Sequence, residues 1–509
     1  MKFKNHIYQV ILLTILLAGC KSQFLNKAPL DSINTANFYQ TKSDAIAAIN
    51  GAYQPLQWPK LYNMRMWTTD IMAGNSVTGG AGGTDGIETK NEANFVTKPS
   101  NPGVLDLWRG PWPGILRANT VLQKVSGMNT IEPTLKNRIL GEAHFLRALY
   151  YFNLVRFFGA VPMITKPQHP GDNLRPPRTK PSDIYNKVII PDLKKAIQLL
   201  PAKSSYSGSD IGRASKGSAT GLLAKVYLTI ANMQKFAGKK YDNQSTNSDY
   251  QQVVKLCDQV TQLGYKLDAN YADNFNPNHE NDQESLFSVQ YYGKTSNSFW
   301  SNENQSSWTS TFMGPRNSNM VAGAYGWDQP TQEFVNAYEK GDKRKDATVL
   351  YKGGPSFGGM NYDPSWSNTG FNVRKFLVPK SIAPTYDSSP LNFNVLRYSD
   401  VLLMKAEALN ELGQTSASET PLNEVRTRAG LSGVSGLNQS NMRLKILHER
   451  RMELAFEGQR WFDLISHPDY ALNFLHSIGR TNATKNNFLL PIPQKAIDAN
   501  PNLTQNPGY

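Results

Sequence analysis

The stretch Gly141–Gly159 reads GEAHFLRALYYFNLVRFFG and carries two neighbouring apolar stripes at helical spacing. The first stripe contains Phe145, Leu149 and Phe152, and the second contains Leu146, Tyr150 and Leu154. Together they make the helix apolar over more than half of its circumference, which predicts that it lies buried between other helices. Val161-Pro162 follows and ends the helix, because proline lacks the backbone N–H that a helix interior needs.

Helical patterns recur on both sides of this stretch in consecutive pairs. The pairs are 104–126 with 133–158, 215–235 with 248–263, and 394–412 with 417–429. Ala148 and Phe152 reproduce an A-x3-F spacing that occurs in tetratricopeptide repeats, which are helix–turn–helix units of about 34 residues. One such unit cannot bury its own apolar face, so neighbouring units must stack. The sequence therefore predicts a mainly α fold with a tetratricopeptide-like helical repeat scaffold; an irregular helical domain is the alternative.

Between residues 265 and 393 the helical periodicity fades, apart from a short piece at 332–339. Asn, Ser, Gly, Pro and Tyr dominate there, and alternation in Leu286–Tyr291 indicates one strand. Long loops on a rigid helical scaffold are a common way to build a binding surface. We therefore predict a signal peptide (1–19), an N-terminal helical region (20–264), a loop-rich ligand-binding insertion with little β structure (265–393) and a C-terminal helical region (394–509).

The first twenty residues have the pattern of an export signal. Lys2 and Lys4 precede the apolar run Val10–Leu17, which is followed by Leu17-Ala18-Gly19-Cys20, a match to a bacterial lipobox. One of only two cysteines falls at the position that accepts lipid, which favours lipidation at Cys20 over an ordinary signal peptide with a chance cysteine. A lipid would anchor the protein to a membrane without spanning it.

Composition excludes several classes of protein. Aromatic residues make up 11% of the chain and charged residues 18%, which argues against disorder. The N-terminal apolar run is shorter than the roughly 20 residues that a membrane-spanning helix needs. The net charge of +14 is spread along the chain, so it predicts no nucleic-acid partner. Cys257 is the only cysteine besides Cys20 and follows Val253 at helical spacing, which predicts a buried thiol without a disulfide.

Catalytic motifs are incomplete. His448-Glu449 lies in a helical pattern, but Met452 occupies the place of the second histidine of a zinc-binding H-E-x-x-H. Gly354–Gly358 matches G-x-S-x-G in letters, but it lies among glycines and prolines and lacks the strand and helix that a nucleophile elbow needs. Asp268 and Asp273 lack the spacing of a recognised calcium loop. The sequence therefore predicts no catalytic residues, no metal site and no cofactor.

Several separate segments together resemble the SusD/RagB family of outer-membrane nutrient-binding lipoproteins, and the resemblance runs from Cys20 to Tyr509. The segments that carry it are Phe38-Tyr39, Leu107–Gly110, Ile115–Asn119, Arg147–Phe152, Phe158–Pro162, Gly212–Gly217, Leu396–Tyr398, Leu402–Glu407, Glu449–Gly458, Arg460–Leu464, Leu490–Pro493 and Asn500–Tyr509. The charged residues Glu449, Arg450, Glu453 and Arg460 lie off the apolar face of their helices. We expect them to form ion pairs between helices instead of an active site.

The resemblance implies a tetratricopeptide-like scaffold without enzymatic activity, located at the cell surface. It implies a lipoprotein of the outer membrane that caps a SusC-like TonB-dependent transporter and passes oligosaccharides, or in some members other nutrients, into it. After Cys20, Lys21-Ser22-Gln23 lacks the acidic run that many surface-exported lipoproteins of these bacteria carry. Extracellular display is therefore less directly supported by the sequence than membrane anchorage.

The ligand site should combine exposed aromatic rings with polar side chains on loops, because the apolar C–H faces of sugars pack on such rings. Two groups of candidates meet this requirement: Trp67, Asp70 and Asn75, and Trp300, Trp308 and Arg316. We exclude four tryptophans that lie in the segments resembling the family scaffold: Trp108, Trp112, Trp327 and Trp461.

Three other functions stay open at the level of sequence. The chain could carry peptides or other nutrients in the same kind of transporter complex. It could be a helical glycoside hydrolase or lyase retained at the surface, since paired carboxylates need only to lie close together in space. It could also be a periplasmic scaffold whose repeats hold partner proteins.

Overall fold

A computed structural model describes residues 38–241, 244–293 and 299–509. Helices contain 50% of the residues and strands 6%, which confirms the predicted mainly α fold with little β structure. The helices in chain order are α1 (Lys42–Tyr53), α2 (Thr69–Met72), α3 (Ile87–Ala93), α4 (Pro102–Arg109), α5 (Pro111–Ser126), α6 (Pro133–Phe158), α7 (Pro181–Ile184), α8 (Ile190–Leu199), α9 (Lys216–Ala237), α10 (Thr246–Gln262), α11 (Thr309–Met313), α12 (Gln332–Asn336), α13 (Arg344–Thr348), α14 (Tyr398–Glu411), α15 (Thr415–Arg428), α16 (Gln439–Glu453), α17 (Arg460–Ile465), α18 (Pro468–Ser477) and α19 (Gln494–Ala499).

Helix α6 is the buried helix that its apolar stripes predicted, and both stripes lie in the core. Helix α5 crosses it closely at Gly114, where an added Cβ would stand 2.1 Å from the ring of Tyr150. The Tyr150 hydroxyl in turn donates to the carbonyl oxygen of Ala52 at the end of α1, at 2.8 Å. Gly159 ends the helix with a φ of +68°, a backbone conformation that glycine adopts without strain.

Consecutive helices pack as pairs: α5 with α6, α9 with α10, and α14 with α15. These are the tetratricopeptide-like pairs predicted from the sequence, with two corrections. The segment 104–126 is not one helix, because Gly110-Pro111 divides it into α4 and α5. The last pair begins later than predicted, since Phe393–Arg397 is a strand.

The strands form three antiparallel pairs. They are β1 (Ser76–Thr78) with β3 (Asp328–Pro330), β2 (Ser285–Val289) with β6 (Phe393–Arg397), and β4 (Val349–Leu350) with β5 (Asn372–Val373). Strand β2 confirms the strand that the alternation at Leu286–Tyr291 predicted. The pairs β1–β3 and β2–β6 each join the loop-rich insertion to a segment outside it. They fix the position of these loops on the helical scaffold.

A buried group of charges, which we call the ion network, lies beneath the loops and is centred on Glu453 of α16. Its carboxylate accepts hydrogen bonds from the guanidinium groups of Arg428, Arg397 and Arg344 at 2.5, 3.0 and 3.2 Å. Burial opposes ionisation of Glu453, but the three guanidiniums outweigh it and lower the pKa of this carboxyl. The network therefore joins α16 to the loops and to the end of α15.

The predicted ion pairs form at three of the four positions. Glu449 pairs with Arg344 at 2.6 Å, Arg450 pairs with Asp400 at 2.9 Å, and Glu453 belongs to the ion network. For Arg460 the prediction is wrong, since no carboxylate of the described residues pairs with it. Its guanidinium stacks over the ring of Phe474 at 5.0 Å and donates to the Tyr470 hydroxyl, so its charge is held by aromatic groups.

The two cysteines have different outcomes. Cys257 is fully buried on α10, and burial raises the pKa of its thiol, so it is a core residue as predicted. Cys20 lies outside the described residues. Across the part of the chain that the structure describes, no helix has the length and apolar character needed to cross a membrane.

Candidate functional site

Six rings of the loop-rich insertion, which we call the aromatic loop surface, belong to one connected group; the buried ring of Trp327 also contacts this group, at 5.6 Å from Phe312. The six rings are Phe299, Trp300, Trp308, Phe312, Tyr325 and Tyr386. Phe299 is central, with ring centroids at 4.9 Å from Trp300 and 4.8 Å from Trp308. Trp308 continues to Tyr386 at 5.3 Å. On the other side of the group, Phe312 contacts Tyr325 at 5.5 Å.

The rings of this surface divide into a buried base and an exposed layer. Phe299, Trp308 and Phe312 are buried, whereas Trp300 is 54% exposed and Tyr386 is 50% exposed. The exposed rings therefore rest on fixed aromatic partners and keep their outer faces in solvent.

Hydrogen bonds hold the base of this surface in one arrangement. The backbone N–H of Trp308 donates to Oδ1 of Asn63 at 2.8 Å, which ties the start of α11 to the N-terminal region. The Thr311 hydroxyl donates to the carbonyl oxygen of Tyr386 at 2.7 Å. A ligand would meet rings that are already positioned, so less conformational entropy is lost on binding.

A cleft of about 430 Å³ lies beside these rings. Gly323 forms part of its wall with a φ of +82°, and an added Cβ would stand 3.0 Å from the Cβ of Tyr386. This close approach places Tyr386 at the edge of the cleft. The other lining residues are Arg316, Asn317, Ser318, Asn319, Val321, Ala322, Ala324, Tyr325, Lys380 and Pro384.

The polar groups of the cleft are suited to hydroxyl ligands. The Arg316 guanidinium makes one long contact, 3.5 Å, to the carbonyl oxygen of Tyr325, and it pairs with no carboxylate of the described residues. The Lys380 ammonium donates to the side-chain oxygen of Asn319. Donors on Arg316 and Lys380 and the amide of Asn319 can therefore bind hydroxyl groups of a ligand whose apolar face packs on a ring.

Comparison with known proteins identifies the family. A model described as "SusD family" matches residues 224–509, and a model described as "Starch-binding associating with outer membrane" matches residues 23–228. The chain belongs to the SusD family. This membership confirms the resemblance deduced from the sequence motifs.

Relatives cover nearly the whole chain. SusD-like protein P2 of Formosa agariphila is 27% identical over 99% of this chain and 100% of its own length. Among solved structures, a SusD superfamily protein of Parabacteroides distasonis is 30% identical, with a TM-score of 0.76 over 92% of this chain and 99% of its own. A structure titled "Laminarin binding SusD-like protein" is 27% identical, with a TM-score of 0.78 over 92% of this chain and 100% of its own.

The SusD family is a non-catalytic family of glycan-binding proteins, which confirms the prediction that this SusD-like chain is not an enzyme. The description of the family model that matches residues 23–228 also places this chain with proteins associated with the outer membrane. In the described part of the chain, no group of three or more His, Cys, Asp or Glu side chains could hold a metal ion. The division of the chain at residues 264 and 393 stays a prediction.

The structure separates the two groups of predicted site residues. Trp300 is exposed on the aromatic loop surface, and Arg316 lines the adjacent cleft. Trp308 is only 5% exposed and supports the surface from below, so it cannot offer a free face to a ligand. The structure thus brings Trp300, Trp308 and Arg316 into one region, with different roles.

The prediction that Trp67, Asp70 and Asn75 are exposed is wrong, because all three residues are fully buried. Trp67 donates from Nε1 to the carbonyl oxygen of Asn63 at 3.1 Å. Asp70 accepts from the backbone N–H of Phe456 and from the Asn75 amide at 3.0 and 2.8 Å, and burial raises the pKa of Asp70 to about 6. These residues join the first loops to the α16–α17 connection and are structural.

Sequence reasoning missed Tyr386 and Tyr325, which belong to the surface, and Lys380, which lines the cleft. Tyr386 lies between Pro384-Thr385 and Ser388-Ser389-Pro390, a loop composition that indicated an irregular segment. Nothing in that composition distinguishes an exposed tyrosine from a buried one. Of the four tryptophans excluded as scaffold, three are buried: Trp108, Trp327 and Trp461. The fourth, Trp112, is partly exposed and lines a separate cavity.

Proposed function

We propose that this SusD-like protein captures an oligosaccharide on the aromatic loop surface and passes it to a SusC-like TonB-dependent transporter. The observation that carries the proposal is a connected group of rings in which Trp300 and Tyr386 are exposed, and in which Tyr325 and Tyr386 meet the polar cleft of Arg316 and Lys380. Sugar rings have apolar C–H faces that pack on aromatic rings, while their hydroxyls need donors and acceptors nearby. The loop surface supplies both kinds of contact.

The first ligand class to test is a neutral glucan. A SusD-like relative that is 27% identical over 92% of this chain is named as laminarin-binding. The Arg316 guanidinium and the Lys380 ammonium can both donate hydrogen bonds to sugar hydroxyls, so neither group requires an acidic sugar. A neutral glucan is consistent with this lining.

Anchorage and orientation belong to the same proposal. The lipobox ending in Cys20 supports a lipid anchor in the outer membrane, with the ligand-binding loops on the extracellular side. A Cys20→Ala variant should then leave the membrane fraction, and lipid mass should appear on the wild-type chain. Co-purification in mild detergent should recover a barrel protein. Wild-type protein without lipid, or isolated alone from cells that express the neighbouring transporter gene, would contradict these two points.

Binding is tested by calorimetric titration of the purified chain with laminarin oligosaccharides and with a panel of other glucans. Trp300→Ala and Tyr386→Ala should each weaken binding by about 1–3 kcal/mol, the scale of removing a large aromatic contact. Trp112→Ala is a matched control, because Trp112 is partly exposed but lines a different cavity. If both loop variants fold and bind as tightly as wild type, the site lies elsewhere.

A further inference from the structure

A second cavity, of about 500 Å³, lies where the N-terminal helices meet the C-terminal segment. We call it the tryptophan groove, and define it by Trp58, Trp108 and Trp112 together with Lys60, Arg109 and Lys495. It shares no lining residue with the cleft beside Tyr386. The resemblance to the family offered no ligand role for these residues, and the sequence analysis excluded Trp108 and Trp112 as scaffold.

The rings of the groove are held in fixed positions. Trp58 donates from Nε1 to the carbonyl oxygen of Asn302 at 3.0 Å. The rings of Trp108 and Trp112 meet edge to face at 5.9 Å, and Trp112 also meets Tyr151 at 6.2 Å. Trp58 and Trp108 are buried, whereas Trp112 is partly exposed. Trp112 therefore offers a fixed ring at the open side of the groove.

The wall opposite these rings is also braced. The side-chain amide of Asn500 donates to the carbonyl oxygen of Pro176 at 2.9 Å, and that of Asn502 donates to the carbonyl oxygen of Arg175 at 2.7 Å. These bonds join the C-terminal segment to the loop that follows α6. The groove is therefore built by five separate parts of the chain, around residues 58–60, 108–113, 162–176, 302 and 495–503, and is not a gap under one loop.

The charge of the groove has one sign. Lys60, Arg109 and Lys495 contribute to its lining, and no acidic residue does so among the described residues. None of the three cations has a carboxylate partner within the described ranges, although the Lys60 ammonium lies over the Trp58 ring at 5.6 Å. This differs from the ion network, where each guanidinium meets a carboxylate. The groove thus has three cations near the partly exposed ring of Trp112, and Arg109 and Lys495 are themselves exposed. The cleft beside Tyr386 has two, and one of them, Lys380, is already hydrogen-bonded to Asn319. The larger excess of free positive charge in the groove suits a ligand that combines an anionic group with an apolar face.

We propose that the tryptophan groove binds an acidic saccharide unit, one that carries a carboxylate or a sulfate group. The apolar face of the sugar packs on Trp112, while Arg109 and Lys495 bind its anionic group. This site is additional to the proposed neutral-glucan site. Mixed polysaccharides could then contact the protein at two separate places.

The test is titration of the purified chain with four probes: tetragalacturonate, a sulfated tetrasaccharide, inorganic sulfate and laminarihexaose. Trp112→Ala and the double variant Arg109→Ala/Lys495→Ala should each weaken binding of an acidic oligosaccharide at least tenfold. They should leave laminarihexaose binding unchanged. Preference for tetragalacturonate or for the sulfated probe identifies the anionic group.

The charge-matched control is Lys340→Ala/Lys352→Ala, which removes two exposed lysines outside the groove. It should change binding of the acidic probe less than twofold. Equal weakening by this control would mean diffuse attraction to a basic protein and would overturn the proposal. Absence of acidic-oligosaccharide binding, equally tight binding of inorganic sulfate, or groove variants that bind acidic probes normally would also overturn it. Thermal unfolding checks that each variant is folded.

Groove variants that lose only the transporter in co-purification, with acidic-probe binding intact, would identify a protein-docking surface and reject the saccharide proposal. Failure of laminarihexaose to bind wild type, with acidic binding intact, would reject the neutral-glucan site alone. The two proposals are therefore tested separately.

Discussion

The ion network and the cleft beside the aromatic loop surface both contain cationic side chains, but these have different surroundings. Glu453 has a fully buried carboxylate that meets three guanidinium groups. Arg316, in the cleft beside the aromatic loop surface, has only a 3.5 Å contact to a backbone carbonyl. On that surface, Trp300 is 54% exposed. Charges that neutralise each other inside the fold are not available to a ligand, whereas the Arg316 guanidinium in the cleft, which has no carboxylate partner among the described residues, is available.

This difference assigns the two regions to structure and to binding. The family motif around Glu449–Gly458 is rich in charge, yet its side chains hold α16 against the loops and the end of α15. The loop-rich insertion is also tied to the scaffold at its rim, where Glu339 meets Arg426 and Lys445 at 2.8 and 2.6 Å. Four predictions test whether substitutions in the structural region change mainly the free energy of unfolding, and whether substitutions at the loop surface change mainly the affinity for glucan.

The largest effect is expected in the ion network. Glu453→Gln keeps the shape of the side chain but leaves three buried guanidiniums without their shared anion. We expect a loss of about 3–5 kcal/mol in the free energy of unfolding, measured by urea denaturation, because removing one charge from a buried ion network is costly. Each of the three guanidiniums keeps another carboxylate partner, so the network is weakened and not abolished. The matched control is Glu333→Gln, whose carboxylate pairs with Arg451 but is 45% exposed. It should cost less than about 1 kcal/mol. Equal losses of stability in Glu453→Gln and Glu333→Gln would contradict the distinction between a buried and an exposed carboxylate.

Trp67→Ala tests a tryptophan that sequence reasoning placed at the ligand and the structure places in the core. Its ring contacts Phe312 at a centroid distance of 6.1 Å, and its indole N–H is hydrogen-bonded. We expect a loss of about 3 kcal/mol, the scale of replacing a fully buried tryptophan by alanine. Chemical denaturation measures the loss. At a temperature where the variant is folded, a tenfold weaker affinity for glucan without loss of stability would restore Trp67 to the site.

Trp67 also shows where sequence reasoning succeeds and where it stops. The stripes of α6 predicted burial, because helical spacing puts Phe145, Leu149 and Phe152 on one face whatever surrounds them. Trp67 lies in an irregular segment with no such period, and its burial depends on contact with Phe312, more than 200 residues away in the chain. Local composition cannot reveal that contact.

Strand β6 and the exposed ring of Tyr386 were missed, and Trp308 was wrongly predicted to be exposed, for the same reason. Phe393–Arg397 is a short, mostly apolar run next to a helix, and such runs do not distinguish strand from helix by periodicity. Its pairing with Ser285–Val289 is a contact between distant segments. Trp300 and Trp308 are eight residues apart in similar sequence surroundings, yet only tertiary packing leaves the first exposed and covers the second.

Glu339 tests the attachment of the loops to the scaffold through its pH dependence. Hydrogen bonds from Arg426, together with Lys445, lower the pKa of Glu339 to about 2, below its usual 4.5. A carboxyl with a lowered folded-state pKa stabilises the protein above pH 4.5, and this contribution is lost as the pH falls toward 2. Glu339→Gln should cost about 1 kcal/mol at pH 7, because a carboxylate that is one-third exposed is screened by solvent.

The measurement is urea denaturation of wild type and Glu339→Gln between pH 7 and pH 3. The difference between the two proteins should shrink steadily below pH 4.5 as the wild-type carboxylate takes up a proton. His448 lies 3.8 Å from Glu339 and is present in both proteins. A difference that stays constant down to pH 3 would mean that the loss comes from packing and not from the charge of Glu339.

The smallest effect on stability is expected at Trp300, where the effect on binding should be largest. More than half of its surface is already in water, so Trp300→Ala removes little buried area, mainly the contact with Phe299 at 4.9 Å. Its free energy of unfolding should stay within about 0.5 kcal/mol of wild type, as for surface substitutions away from special features. Trp308→Ala, eight residues away, is the matched control and should lose about 3 kcal/mol, since its ring is buried. Denaturation and glucan titration of both variants give two independent readouts. A strongly destabilised Trp300 variant would show that this ring supports the fold. A variant that is stable and binds glucan fully would show that the ring does not contact the ligand.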